Sequence, residues 1–216
     1  ALREGWEGLD QDPERSHELL QLACRDGIEQ ACSVEGFLSN DLNEALSIWL
    51  ANPSEVTKLN LSRQNVRRLP DALFTLTALE TLILSDTNIA VLPGKIRELK
   101  NLKNLNISRT RLSYLPESII ELQQLETLIA EELCIVNPQT IHMLSQLPNL
   151  KHLSIRRCPI PPEITQLQQL ESLSIAGGGE LYNLKTQLEY LTHLPNLHSL
   201  DISGRAIHDL PDNIGE

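Results

Sequence analysis

A recurring six-residue pattern, L-x-x-L-x-L, restricts the possible folds of this chain more than any other feature. Seven copies follow one another at intervals of 20 to 27 residues, and they begin at Val56, Leu79, Leu102, Leu125, Leu150, Leu170 and Leu197. Alternate residues of a strand point to the same side, so Leu-x-Leu predicts a short strand with both leucines on one face. One such unit cannot bury its leucines, whereas stacked units bury them in a continuous column.

The residues that follow each copy predict a return path on the other side of the stack. A further aliphatic residue comes five positions after the pattern, as at Ile89, and is followed by Leu-Pro, as at Leu92-Pro93. Proline ends the strand and can open a helical turn, because its φ is fixed and it has no N–H to donate. We therefore expect a short α-helix or 3₁₀ turn that contributes residues such as Ile96 and Leu99 to the core.

This period and pattern resemble the leucine-rich repeat family over residues 56–216. The resemblance implies an α/β fold, a leucine-rich repeat solenoid with a curved parallel sheet on the concave side and short helices or 3₁₀ turns on the convex side. The family usually has Asn at the ninth position of each repeat, where its amide bonds to backbone groups of adjacent turns. Here that position holds Gln64, Thr87, Thr110, Leu133, Cys158, Gly178 and Arg205, so we expect the polar ladder to be interrupted from the fourth repeat onward.

Residues 1–55 lack the repeat and predict an α-helical N-terminal cap. Asp12-Pro13 is a helix start, and Asp41 to Glu44 form a capping box. We expect this cap to cover the open end of the leucine column through Leu46, Trp49 and Leu50. A helical leader before such repeats resembles bacterial effectors delivered into host cells, which implies secretion into the host cytoplasm; the alternative is a cytoplasmic protein. The chain stops just after Leu210-Pro211, so we expect the natural protein to continue past residue 216.

The charge distribution limits the classes of partner. The net charge is −11, and residues 1–55 hold twelve acidic and three basic residues, against seventeen and fifteen in residues 56–216. Non-specific nucleic-acid binding and attachment to anionic membranes both need a basic field, which neither part supplies. No apolar run reaches the roughly 18 residues of a membrane span. The sequence thus favours a protein partner over nucleic acid or membrane, and we expect a monomer.

The motifs of common enzymes are missing from the sequence. It has no G-x-x-x-x-G-K-[ST], G-x-S-x-G or G-x-G-x-x-G, and its six histidines include no metal-binding pair on a predicted helix. Cys24-Arg25-Asp26 resembles the Cys-x-Asp motif of bacterial repeat-fused ubiquitin ligases, but in that family the catalytic domain follows the repeats. We predict no catalytic residue, cofactor or metal in this chain. The four cysteines show no zinc-type spacing, and we expect reduced thiols.

The residues between the leucines predict the binding surface. The second and eighth positions of successive repeats alternate in charge, as in Asp86, Arg109 and Glu132. One interpretation is a self-neutralising ladder that keeps like charges apart; the other is a charged face that meets a protein partner. Outward aliphatic residues among dense charge favour binding across the second to fifth repeats. The predicted residues are Ile83, Asp86, Lys103, Arg109, Ile129, Glu131, Glu132, His152, Arg156 and Arg157.

Three functional classes remain open from the sequence. The first is the target-recognition part of a bacterial effector, a virulence protein that binds a host protein. The second is the substrate-recognition fragment of a leucine-rich-repeat ubiquitin ligase whose catalytic domain lies outside this chain. The third is an extracellular receptor or adhesion domain, for which paired cysteine caps at both ends are expected and are missing. A count of free thiols separates the third class from the first two.

Overall fold

Seven short parallel strands run through the computed structural model, which describes residues 50–133, 135–177 and 184–204. Each strand has three residues, and the spatial order follows the sequence. The strands are β1 (Lys58–Asn60), β2 (Thr81–Ile83), β3 (Asn104–Asn106), β4 (Thr127–Ile129), β5 (His152–Ser154), β6 (Ser172–Ser174) and β7 (Ser199–Asp201). Equal positions of successive repeats pair, so Leu59 lies opposite Leu82 and Leu82 opposite Leu105. The predicted leucine-rich repeat solenoid is confirmed.

The leucine column forms the core. The central residue of each strand from β1 to β6 is at most 2% exposed: Leu59, Leu82, Leu105, Leu128, Leu153 and Leu173. The equivalent Leu200 of β7 is only partly buried, because no described rung covers it. Burying a leucine side chain stabilises a fold by about 1.5–3 kcal/mol, so the column is the main source of stability.

The convex side consists mostly of 3₁₀ helices, as the Leu-Pro signal predicts. They span Asp71–Thr75, Gly94–Glu98, Glu117–Glu121 and Pro162–Gln166. Each follows a proline with extended backbone, for example Pro93 with φ −65° and ψ 147°. Proline at this position ends the extended segment and begins the turn. The predicted core residues Ile96 and Leu99 are fully buried.

Two repeats have an α-helix in place of the 3₁₀ helix. Helix α1 (Pro138–Leu144) lies in the 25-residue repeat that starts at Leu125, and helix α2 (Leu184–Leu191) lies in the 27-residue repeat that starts at Leu170. The Asn137 side chain caps α1 by accepting the Thr140 N–H at 2.9 Å. The additional residues of these repeats accommodate a wider helical element.

The predicted cap of residues 1–55 lies mostly outside the described residues. Leu50 and Val56 are described, and both pack against the leucine column. Leu46 and Trp49, which we expect to accompany them, fall in residues 1–49. The division into a cap and a repeat domain therefore stays a prediction.

The interrepeat polar ladder differs from the one that the resemblance implies. At the ninth position, the Thr87 and Thr110 hydroxyls donate to carbonyl oxygens of their own repeats, Leu84 and Ile107, at 2.7 and 2.8 Å. A hydroxyl is too short to reach the neighbouring turn, so it closes its own turn instead.

Bonds between neighbouring repeats come instead from asparagines that immediately precede the first leucine. Each of these amides donates to a carbonyl oxygen of the preceding repeat. The pairs are Asn101 to Thr77 at 2.9 Å, Asn149 to Gln123 at 2.7 Å and Asn196 to Gln168 at 2.7 Å.

The expectation of four reduced thiols is wrong for Cys158, which is the only cysteine among the described residues. Cys158 is disulfide-bonded and 1% exposed. Its partner lies outside the described residues. A solenoid places residues one repeat apart on adjacent rungs about 5 Å from each other, so wide spacing in the sequence does not keep cysteines apart in space.

Candidate protein-binding surface

The concave surface consists of the first and last residues of the strands, whose side chains point away from the leucine column. Of the predicted residues, Ile83 and Ile129 end β2 and β4, and His152 begins β5. Asn106 separates the two isoleucines in the paired register. Both isoleucines are half-buried rather than fully exposed. The surface therefore has two separate apolar points among polar side chains, not one continuous patch.

We expected the eighth positions of the repeats to lie in the strands. They lie instead in turns at the carboxyl edge of the sheet. All seven have left-handed backbone: Arg63 (φ 62°), Asp86 (59°), Arg109 (51°), Glu132 (61°), Arg157 (64°), Gly177 (74°) and Gly204 (69°). The N–H groups of the first six bond to the next rung, for example Asp86 N–H to the Ser108 carbonyl oxygen at 3.0 Å. The glycines at two equivalent positions are the sequence signal that identifies this conformation.

Arg109 and Asp86 form the shortest ion pair of this edge. Arg109 Nε donates to Asp86 Oδ1 at 2.6 Å, and Nη2 donates to Oδ2 at 3.0 Å. The hydrogen bond from Arg109 is the largest cause that lowers the pKa of Asp86, and Arg63 adds to it. The alternating charges of the sequence thus pair between neighbouring rungs.

The third to fifth rungs bring together five predicted residues. A depression of about 140 Å³ is lined by Arg109, Glu131, Glu132, Arg156 and Arg157, and its far wall is Ala176 and Gly177. The ion pairs here are long, with 3.8 Å from Arg156 Nη1 to Glu131 Oε2 and 3.6 Å from Arg157 Nη1 to Glu132 Oε1.

One short contact holds this depression in shape. The Ser154 hydroxyl donates to Glu131 Oε1 at 2.9 Å, a contact that the sequence does not signal. Gly177 in the far wall lies beside the Arg157 side chain, and its φ of 74° favours glycine.

The remaining predicted residue, Lys103, lies on the opposite edge of the sheet, just before β3. Its Nζ binds Glu80 Oε1 at 2.9 Å, and the equivalent pair of Lys151 Nζ and Glu171 Oε1 is 2.8 Å apart. The hydrogen bond between Lys151 and Glu171 raises the pKa of the lysine and lowers that of the glutamate. Both edges of the concave surface therefore have paired charges, and the apolar and hydroxyl side chains lie between them.

Within residues 50–133, 135–177 and 184–204, no three His, Cys, Asp or Glu side chains are grouped to hold a metal ion. The helices of the same residues are too short or too polar to cross a bilayer. On the concave surface, paired charges border a strip of small polar and aliphatic side chains. Protein interfaces likewise have few charged residues at their centre and a polar rim.

Comparison with known proteins gives one family match and several structural matches. The model of a leucine-rich repeat region matches residues 57–215. A leucine-rich repeat protein of Leptospira interrogans, LIC12759, is 25% identical, with a TM-score of 0.58 over 82% of this chain and 49% of its own. An internalin (inlF) of Listeria monocytogenes is 18% identical, with a TM-score of 0.50 over 78% and 57%. This chain therefore spans about half the length of these proteins, and none of the curated proteins matches it.

Proposed function

The chain belongs to the leucine-rich repeat family, and from that premise we propose that it is a protein-binding module that holds a partner on its concave surface. Repeat domains of this family generally bind and do not catalyse. The observation that carries the proposal is the in-register sheet, which commits the leucines to the core and leaves a fixed array of side chains outside. Such an array presents recognition groups at little entropic cost.

The charges and the aliphatic side chains have different roles in this proposal. Arg156 and Arg157 lie at the carboxyl edge, where long-range attraction acts on an approaching partner and raises the association rate. Ile129 lies on the strand itself, where a partner can exclude water, so it governs dissociation. A partner with carboxylates opposite the arginines and an apolar group between them fits this arrangement.

The test is a comparison of variants against a partner captured from host-cell lysate and then purified. We expect Ile129→Asp to weaken binding by more than about 1 kcal/mol and the double reversal of Arg156 and Arg157 to Glu to slow association most at low salt. Lys95→Glu on the convex side is the matched control, and circular dichroism verifies folding. Unchanged binding of both concave variants, together with loss in the convex control, would contradict the proposal.

A bacterial effector that recognises a host protein is the first specific form of this function. Its support is the combination of the repeat with the predicted helical leader in residues 1–55. The alternative is the recognition fragment of a ubiquitin ligase, and its support is the same architecture with a catalytic domain outside this chain. The two forms differ in whether the same gene also encodes a catalytic domain, and the gene sequence decides between them. We expect this chain alone to form no thioester with ubiquitin, and such an adduct that is lost in Cys24→Ala would contradict this expectation.

One observation favours the extracellular class as a second candidate. Cys158 is disulfide-bonded, and disulfides persist mainly in oxidising compartments. Titration of thiols on the denatured, unreduced chain decides between these classes. Four thiols would exclude the extracellular class, whereas two or none would favour it over action in a reducing cytoplasm.

A further inference from the structure

A second exposed surface runs along the side of the first three repeats, between the carboxyl edge of the sheet and the 3₁₀ helices. We call it the flank, and it consists of residues 65–68, 88–91 and 111–114. Its three segments are held side by side by backbone bonds. Asn88 N–H donates to the Val66 carbonyl oxygen at 3.0 Å, and Arg111 N–H donates to the Ile89 carbonyl oxygen at 2.8 Å. Equal positions of the three repeats are therefore neighbours on the flank.

The outward side chains of the flank contribute nothing to the core. Val66, Ile89 and Leu112 point inward and are at most 6% exposed. Two positions after Ile89 and Leu112, the side chains of Val91 and Tyr114 are 52% and 51% exposed. These are the only exposed large hydrophobic residues in the described part of the chain. They occupy the same position of adjacent repeats, which are about 5 Å apart. Two adjacent exposed apolar side chains indicate a surface that a partner covers.

The charge of the flank is opposite to that of the chain. Its twelve residues include three arginines, Arg67, Arg68 and Arg111, and no acidic residue, although the chain has a net charge of −11. Within the residues that the structure describes, none of the three forms an ion pair. The nearest carboxylate in sequence, Asp71, is bound to Lys95 Nζ at 2.6 Å. On the edges of the sheet, by contrast, arginines and lysines face carboxylates.

A groove of about 290 Å³ lies beside Tyr114, between the third repeat and helix α1. Its apolar wall comprises Leu115, Pro116 and Met143, and its polar lining residues are Glu117, Asn137, Gln139 and Thr140. Leu115 and Met143 are 3% and 8% exposed, so the wall is fixed by the core. The volume is sufficient for a single large apolar side chain.

We propose that the flank binds an acidic segment of a partner protein, whose carboxylates meet Arg67, Arg68 and Arg111 while an apolar side chain enters the groove beside Tyr114. Charge complementarity selects the acidic partner, and the guanidinium group suits carboxylates because it can bind both oxygens. Three arginines in a chain of net charge −11 give too weak a field for nucleic acid, and the apolar wall of the groove suits a side chain of a protein. This site is separate from the concave surface, so either proposal can fail alone.

The test uses the full chain and an array of synthetic peptides. The peptides have acidic, neutral or basic residues around a central leucine, or acidic residues around a central serine. We expect retention of the acidic leucine peptide, weaker retention of the serine peptide, and none of the others. Arg68→Glu and Tyr114→Ser should each reduce affinity for the acidic leucine peptide at least about fivefold.

Lys185→Glu on helix α2 is the charge-matched control and should bind like the parent chain. Loss of binding in this control equal to that in Arg68→Glu would overturn the proposal, since the effect would then follow net charge alone. Failure of the parent chain to prefer acidic peptides would overturn it as well, as would binding of duplex RNA or anionic vesicles that Arg68→Glu abolishes. Since all the substituted residues are exposed, the variants should give the circular dichroism spectrum of the parent.

Discussion

Arg109 binds both carboxylate oxygens of Asp86 on the preceding rung, and the two residues have the same left-handed backbone conformation, with φ 51° and 59°. The pair links two neighbouring turns of the carboxyl edge. The planar guanidinium meets the carboxylate with two hydrogen bonds, a geometry that gives orientation as well as energy.

The lowered pKa values predict a dependence of stability on pH. Asp86, Glu171 and Asp201 have folded pKa values below their ordinary ones, since they accept hydrogen bonds chiefly from Arg109, Lys151 and Ser203, respectively. Their contribution to the free energy of unfolding is therefore present above the unfolded pKa and is lost as the pH falls through the folded pKa. Denaturant titrations from neutral pH down to below pH 3.8, the ordinary value for Asp86, should show falling stability. Asp86→Asn should lose less over this range, and an equal loss would contradict the assignment.

The leucine column predicts a large cost of truncation in its middle. Leu128 is 1% exposed and has paired leucines on both sides. Leu128→Ala should lower the free energy of unfolding by about 2–5 kcal/mol, because it removes buried methyl groups and leaves a cavity. Val91→Ala on the flank is the control, and it should change stability by no more than about 0.5 kcal/mol. Urea denaturation followed by circular dichroism measures both.

The left-handed turns predict which residues the carboxyl edge tolerates. At Arg63, with φ 62°, Arg63→Val should lower the free energy of unfolding by about 1–3 kcal/mol, because a β-branched side chain is strained at positive φ. Arg63→Gly should remain within about 1 kcal/mol of the parent. If the valine and glycine variants unfold at the same denaturant concentration, the backbone strain inferred here is absent.

The asparagine bonds between repeats predict a moderate effect that depends on position. Asn149→Ala removes the 2.7 Å bond to the Gln123 carbonyl oxygen and should cost about 0.5–1.5 kcal/mol. Gln124 occupies the equivalent position before Leu125, is exposed, and makes no side-chain hydrogen bond shown among the described residues. Gln124→Ala is therefore a matched control that should cost less. Thermal melting compares the two, and a larger loss at Gln124 would show that the amide bond is unimportant.

The sequence predicts the strands, the core and the charge pairing because each depends on a strict period. Once Leu105 is placed inward by its repeat, Asn104 and Asn106 must point outward, and stacking must bring Asp86 beside Arg109. The family match confirms the class of fold, and the structure confirms the buried column.

The features that the sequence did not predict depend on local geometry without a period. The eighth positions contain Arg, Asp, Glu and Gly, and only Gly177 and Gly204 signal the left-handed turn. The spacing of the four cysteines does not indicate that Cys158 is disulfide-bonded, and the role of Asn149 depends on how the chain returns from the convex side. The predicted binding residues have been located, but their role in binding remains a prediction.

The unequal width of the two sides of the stack sets the radius of curvature. Hydrogen bonds keep the strands about 4.8 Å apart, whereas an α-helix with its side chains is about 10 Å wide. Helix α1 lies between the 3₁₀ helices Glu117–Glu121 and Pro162–Gln166, so it spreads the convex side where the opposite face carries Glu131 and Arg156. The outer arc lengthens there while the inner arc stays fixed, so we expect the sheet to curve more tightly at the fourth and fifth rungs than elsewhere. A deletion that shortened α1 to a 3₁₀ turn should reduce this curvature without altering any residue of the concave surface.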